Sequence, residues 1–198
     1  MWNERYADPE FAYGTAPNDF LREVGPSLHG PVLCLASGEG RNAVWLAEQG
    51  LEVHGVDISS EGVAKTHRLA EQRGVTVHAH VGDLSEYDLG DSRWGAIVGI
   101  FAHLPPAVRE RVHRAIPTAL KPGGQLVLEM YTPRQLAFGT GGPPVEPMLY
   151  TEELVRSHMP QLHYDRLAEV EREVVEGKYH TGRAAVLQVL ATRPSQSQ

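Results

Sequence analysis

The stretch Val32-Leu33-Cys34-Leu35-Ala36-Ser37-Gly38-Glu39-Gly40-Arg41-Asn42 constrains this chain more than any other. Val32 to Ala36 form an apolar run of strand length, unbroken as a strand covered on both faces requires. Gly38 and Gly40 permit a sharp turn and remove the side chains that would hold a ligand off the backbone. A helix from about Asn42 aims its free N–H groups back at that turn, where a polar or anionic ligand can bind. Nineteen residues beyond Gly38, Asp57 ends a second apolar run and is placed to hold a ribose. Together these features predict a nucleoside-cofactor site and leave the nucleoside open.

Composition narrows the class. The 198 residues are enough for one good core, and 41% hydrophobic with 22% charged residues suits a globular domain. A net charge of −7 without a basic block argues against a sequence-independent grip on nucleic acid. The apolar runs are too short for a bilayer span, and the charged start Met1-Trp2-Asn3-Glu4-Arg5 lacks a secretory stretch. Cys34 is the only cysteine, so no intramolecular disulfide can form and a cytoplasmic location is expected. Its place in an apolar run reads as a buried, inert thiol.

The chain then alternates. Residues 1–30 lie outside any strand–helix repeat; Trp2, Tyr6 and Phe11 cluster there, and Pro17-Asn18-Asp19 starts a helix. This segment either covers a sheet edge or forms a lid into which Arg5 and Tyr13 reach. Strands are expected at 31–36, 52–57, 75–81, 94–101 and 125–131, with helices at about 41–50, 60–73 and 106–120. Pro117 predicts a kink or a tightened last turn in the third of these helices. Lys121-Pro122-Gly123-Gly124 reads as a turn before the fifth strand. A Gly- and Pro-rich loop spans 133–150, a short helix starts at Thr151-Glu152-Glu153, and strands at about 163–176 and 183–192 form an antiparallel hairpin around a loop from Gly177 to Gly182. The pattern is α/β: a doubly wound, Rossmann-like, seven-stranded sheet, mostly parallel, with an antiparallel C-terminal hairpin strand and helices on both faces. Residues 1–193 read as one domain and 194–198 as a disordered tail.

Gly38-x-Gly40-x-x-Ala43 with Asp57 fits a dinucleotide fingerprint, which would suit an NAD-binding oxidoreductase. The wider order of signals differs: Asp57 after strand two, Gly82-Asp83-Leu84 after strand three, Lys121-Pro122-Gly123-Gly124 before strand five, then the terminal hairpin. Across residues 31 to 192 this resembles a class I S-adenosylmethionine-dependent methyltransferase. The resemblance implies that Asp57 and the adjoining Ile58 hold the ribose, that Asp83 receives the adenine amino group with Leu84 at the ring, and that Ala36, Gly38 and Gly40 lie against methionine and sugar. Asn42 at the helix start, with Arg5 and Tyr13, completes the expected cofactor set. Cys34 and Ala36 depart from the family, which often carries an acid and a glycine there, so loop carbonyls and that of Ile100 are expected to anchor the methionine ammonium. Trp2-x-x-Arg5-Tyr6, Tyr13-Gly14-Thr15-x-Pro17-Asn18-x-Phe20-Leu21 and Gly38-Glu39-Gly40-Arg41-Asn42-Ala43 are similar to small bacterial methyltransferases grouped with the tellurite-resistance and thiopurine enzymes. That resemblance implies a small acceptor: a thiol, a selenium or tellurium oxyanion, or another soft nucleophile.

Such a transfer needs in-line alignment and exclusion of water more than a strong base. Ligands bind beyond the carboxyl ends of parallel strands, which puts His103, Tyr131 and, if the penultimate strand is parallel, His180 at the acceptor end as catalytic candidates. A histidine there serves as base or as cation. His78 and His80 share a strand face without a third ligand, so no metal is expected. Arg134, Lys178 and Arg183 read as surface charge. A non-catalytic nucleoside-binding protein of this fold is the other alternative, and monomer and homodimer stay open.

Overall fold

A computed structural model describes residues 1–195 of the chain. Two short helices, α1 (Trp2–Tyr6) and α2 (Asp19–Val24), precede β1 (Val32–Leu35). The alternation follows as α3 (Arg41–Glu48), β2 (Val53–Asp57), α4 (Ser60–Arg73), β3 (His78–Val81), β4 (Trp94–Ile100), α5 (Pro106–Ala119) and β5 (Leu120–Tyr131). Next come α6 (Glu152–His158), β6 (His163–Glu176) and β7 (His180–Thr192). The seven strands form one sheet in the order β3-β2-β1-β4-β5-β7-β6. β7 runs antiparallel to both neighbours, so β6 is parallel to the first five strands.

Period-two alternation divides β1 between two cores. Val32 and Cys34 face the layer of α2, α3 and α4, where Phe20, Leu21, Val44 and Leu69 close around them. Leu33 and Leu35 face the opposite layer with Trp94, Val112 and Ile116, under α5 and α6. The doubly wound sandwich of the sequence reading is therefore the fold observed. Cys34 is buried among aliphatic side chains, which push its thiol up to about 12. Among the described residues, no helix is long and apolar enough to cross a membrane.

Four local expectations shift. β3 begins at His78, because Gly74 ends α4 in a left-handed turn and the Val75 N–H bonds back to Ala70, leaving Val75 to Val77 outside the ladder. Lys121 to Gly124 is a bulge within β5: Trp94 pairs with Leu120 but Ala96 with Gln125, and Gly123 takes φ +77° to make the detour. α5 continues through Pro117 to Ala119, where only the last turn loses an N–H donor. The hairpin turn is tighter than expected, since Glu176 already pairs with His180. The tail expected at 194–198 lies, for residues 196–198, outside the described residues.

β1 and β4 are neighbours whose connections leave in opposite directions. This is the switch point at which an open α/β sheet parts to admit a ligand.

Candidate active site

A cavity of about 620 Å³ opens at the carboxyl ends of β1, β2 and β4. Two left-handed residues shape it. Ala36 leaves β1 at φ +46° and Phe101 leaves β4 at φ +52°, both unusual for residues with a Cβ. Gly38 at φ +56° carries the turn onward, and a Cβ there would lie 3.1 Å from the Tyr6 hydroxyl, so α1 sits directly over the glycine turn.

Asp57 fastens that turn from below. Its Oδ2 accepts the Gly38 N–H at 2.8 Å and its Oδ1 accepts the Ser59 N–H at 2.8 Å. Each oxygen keeps a second lone pair while the carboxylate lines the cavity. Burial raises the Asp57 carboxyl above its ordinary range, and the two N–H bonds oppose that shift. Asp83 is exposed and accepts the Ser85 N–H at 2.8 Å, which holds its carboxyl below the usual range and keeps it ionised. Ile58, Leu84, Ile100 and Asn42 complete this wall.

The N-terminal segment supplies the roof. Arg5 donates to the Tyr13 hydroxyl at 2.9 Å and lies 4.8 Å over the Tyr179 ring. The residues of 1–30 that line the cavity make this segment more than a cover for a sheet edge. Arg41 also reaches the cavity, but its guanidinium is spent on Glu176.

At the other end, His103 is fully committed. The Tyr131 N–H donates to its Nε2 at 3.2 Å, and its Nδ1 lies 3.0 Å from the Met148 carbonyl. Because one partner only donates and the other only accepts, the ring is neutral with its proton on Nδ1. Burial lowers its pKa to about 4. No ring lone pair remains for a substrate proton. His180 differs: its Nδ1 is buried without a partner, and the ring sits 4.6 Å from Tyr13 and 4.7 Å from Phe101. Burial, and after it the positive charge of Arg41, lowers its pKa to about 3, so it too is neutral near pH 7.

Of the site residues expected from sequence, Arg5, Tyr13, Ala36, Gly38, Asn42, Asp57, Ile58, Asp83, Leu84, Ile100, His103 and His180 all line this cavity; Gly40 and Tyr131 do not. A Cβ on Gly40 would come within 2.6 Å of the Thr66 side chain, so this glycine lets α3 pack on α4. Tyr131 is buried among Leu149, Val174, Ala184 and Val186. It backs the wall by stacking on Phe101 at 4.5 Å and on His103 at 5.6 Å. Arg134 and Arg183 pair with Glu171 on the surface.

Glu39 and Phe101 were not foreseen. Glu39 is buried, pairs with Lys65 at 2.7 Å and lines the cavity, with its Oε2 unpartnered. Its place between two motif glycines was the available signal. Phe101 had only its place at the exit of the fourth strand, because its turn comes from backbone conformation.

Residues 32–124 match the methyltransferase domain family. The chain is 30% identical over 129 residues to the 2-heptyl-1-hydroxyquinolin-4(1H)-one methyltransferase of Mycobacteroides abscessus, covering 63% of this chain and 57% of that one. It is 31% identical over 104 residues to phosphoethanolamine N-methyltransferase 2 of Caenorhabditis elegans, covering 50% of this chain and 23% of that one. The chain thus spans little more than half of the first relative and about a quarter of the second. Among solved structures, one determined for the conversion of a disulfide bond into a thioacetal group during echinomycin biosynthesis superposes with TM-score 0.78 at 16% identity, over 100% of this chain and 92% of that one. TehB from Haemophilus influenzae superposes with TM-score 0.71 at 15% identity, over 97% and 65% respectively. At these identities the two structures speak for the fold.

Proposed function

We propose that this chain, whose residues 32–124 match a methyltransferase domain family, uses S-adenosylmethionine to methylate a small acceptor bearing a thiol or acidic hydroxyl on a flat, apolar frame. The observation that carries this reading is the cavity, whose cofactor wall is polar and whose acceptor end is aromatic and free of uncommitted cations. S-adenosylmethionine supplies an activated methyl group when bound.

The residues present fit that cofactor. The free lone pairs of Asp57 suit two ribose hydroxyls, and the ionised Asp83 suits an exocyclic amine. The backbone at Gly38 is bare, as close approach requires. The carbonyls of the loop and of Ile100 suit the ammonium. Arg5 and Tyr13, on the roof, suit the carboxylate.

Phe101, Leu104, Met148, Pro143 and Tyr179 surround the remaining space. With Arg41 held by Glu176 and Arg5 assigned to the cofactor, an oxyanion acceptor such as tellurite or selenite finds no cation of its own. A flat apolar acceptor finds aromatic faces and aliphatic edges. The Mycobacteroides relative is named for such an acceptor, a hydroxylated bicyclic heteroaromatic with a heptyl tail. His180, neutral with an unpartnered Nδ1, orients the nucleophile. Its low basicity favours groups that ionise readily, because proton transfer from a weak acid to such a ring is uphill. His103 contributes by holding the Met148 segment and the end of β5 in register.

Calorimetry with S-adenosylhomocysteine and with NAD tests the cofactor; binding of NAD alone overturns the reading. A panel of aromatic thiols, hydroxylated heteroaromatics, amines, tellurite and selenite tests the acceptor. Methylation confined to the first two classes is expected. Turnover of the oxyanions alone refutes the acceptor class and leaves the cofactor standing; cofactor binding without any transfer favours a nucleoside-binding protein.

A further inference from the structure

Behind the cavity lies a buried polar cluster that extends the Arg41–Glu176 pair. Glu129 is the one charged residue within the apolar segment Leu126 to Tyr131 of β5, and it is fully buried. Glu176, at the end of β6, is buried beside it. Arg172 reaches both carboxylates, Arg41 pairs with Glu176, and Gln188 donates to Glu129 at 2.8 Å. Two guanidiniums thus balance two carboxylates. Between the carboxylates sits Asn18, also fully buried, whose Nδ2 donates to Glu129 Oε1 at 2.7 Å and to Glu176 Oε1 at 2.7 Å.

This amide is joined to the helix start beside the glycine turn and, through Glu176, to the hairpin that meets the roof. Its Oδ1 caps α2 by accepting the Leu21 N–H at 3.0 Å. Its own N–H donates to Asn42 Oδ1 at 2.9 Å, at the start of the helix after the glycine turn. Glu176 immediately precedes the hairpin turn that carries Tyr179 and His180. That turn grips the roof: the Lys178 N–H donates to the Ala12 carbonyl at 2.9 Å, and a Cβ on Gly177 would fall 2.4 Å from the Tyr13 Cα. Tyr13, Asn42 and His180 therefore take their places from one junction.

We propose that Asn18 and Glu176 are positioning residues for this active site, the Asn18 amide locking the N-terminal roof and the β6–β7 hairpin over the cavity by bridging two carboxylates. The proposal rests on the cofactor reading only where cofactor affinity is concerned. A bare capping role and a bridging role are separable. Aspartate and serine cap a helix about as well as asparagine but cannot donate an amide.

The test compares wild type with Asn18→Asp and Asn18→Ser. Amide hydrogen exchange is read on the free proteins, and S-adenosylhomocysteine affinity by calorimetry. Asn18→Asp and Asn18→Ser should speed exchange of residues 10–16 and of the turn at 177–179 at least tenfold, leave β1 and β4 protected, and weaken the ligand at least tenfold. Wild-type exchange in the two variants overturns the bridge. If Asn18→Asp does not fold, Asn18→Ser decides. If the wild type does not bind S-adenosylhomocysteine, the cofactor reading fails, and exchange alone decides the bridge.

Discussion

Acidification should destabilise this protein well before its carboxylates titrate, because three histidines are held neutral. Burial lowers His103 to about 4, and lowers His113 and His180 each to about 3. An unfolded histidine titrates near 6.5, so below that pH the unfolded chain binds protons that the native chain refuses. Stability is therefore fully present above pH 6.5 and falls as the pH drops towards 4. One pKa unit corresponds to about 1.4 kcal/mol, so His103 alone accounts for a loss of about 3 kcal/mol by pH 4. With all three rings refusing protons, the slope between pH 6 and 5 should lie at about 3–4 kcal/mol per pH unit. Against a total stability of about 5–15 kcal/mol, that unfolds the protein in mild acid.

His158, in contact with His113 and also lowered by burial, adds to this window in the same sense, whereas the carboxylates do not reproduce it. Glu52, Asp83, Glu110 and Glu171 are lowered by their partners, so their contributions are lost only below the ordinary carboxylate range. Asp57, raised by burial, acts in the opposite sense and slightly favours the fold as it protonates. Urea unfolding at pH 7.5, 6.0 and 5.0 measures the slope directly. His113 lies in α5, 2% exposed and away from the cavity, so His113→Gln should remove about 1.4 kcal/mol per pH unit from it without touching the site. A wild-type slope below about 1 kcal/mol per pH unit, or one unchanged by His113→Gln, would falsify the neutral-histidine argument.

Three further outcomes can be checked. Asp57→Ala should cost about 1–3 kcal/mol of S-adenosylhomocysteine affinity by calorimetry, the scale for leaving hydroxyls and the Gly38 and Ser59 N–H groups unpartnered; unchanged affinity sinks the ribose assignment. Gly40→Ala should destabilise by about 2–4 kcal/mol in denaturant melts, combining strain at φ +89° with a 2.6 Å clash on Thr66, whereas wild-type stability would show that α3 and α4 can part. His180→Ala should lower kcat more than cofactor affinity, while His103→Ala, which frees the Tyr131 N–H and the Met148 carbonyl, should lower thermal stability as well; equal loss of turnover and binding in His180→Ala would make that ring scaffold.

The architecture was legible because it is written in local periodicity. β1, β2 and β4 are short apolar runs closed by turn residues, and the hairpin is two long alternating segments around Gly177. That Gly38, Asp57 and Asp83 would line one cavity was legible for a related reason: each stands at a strand's carboxyl end, and topology brings those ends together whatever the intervening sequence. What was not legible depends on side chains meeting main chain far away. His103 and Tyr131 both leave strands at the right rim, and sequence assigns them like roles. Only the fold shows that a Tyr131 N–H consumes the His103 lone pair while the Tyr131 ring turns inward. Gly38 and Gly40 likewise belong to one motif, yet one faces the cavity and the other faces Thr66.

Asn18 is the sharpest instance. Sequence read Pro17-Asn18-Asp19 as a helix start, and Asn18 is the cap of α2. The same side chain has a second polar atom, and helix grammar says nothing about where that atom goes. Its partners stand 111 and 158 positions away. A single carboxylate inside the apolar segment of β5 was the trace of this junction in the sequence. Burying Glu129 is costly unless opposite charge and donors converge on it, so a lone acid in a central strand implies a cation and an amide elsewhere in the chain. Here they arrive from β6, β7 and the N-terminal segment. The elements that must close over the cavity are the same elements that must converge to make that acid tolerable. Roof and hairpin are therefore tied to the core of the sheet through one buried acid and its partners.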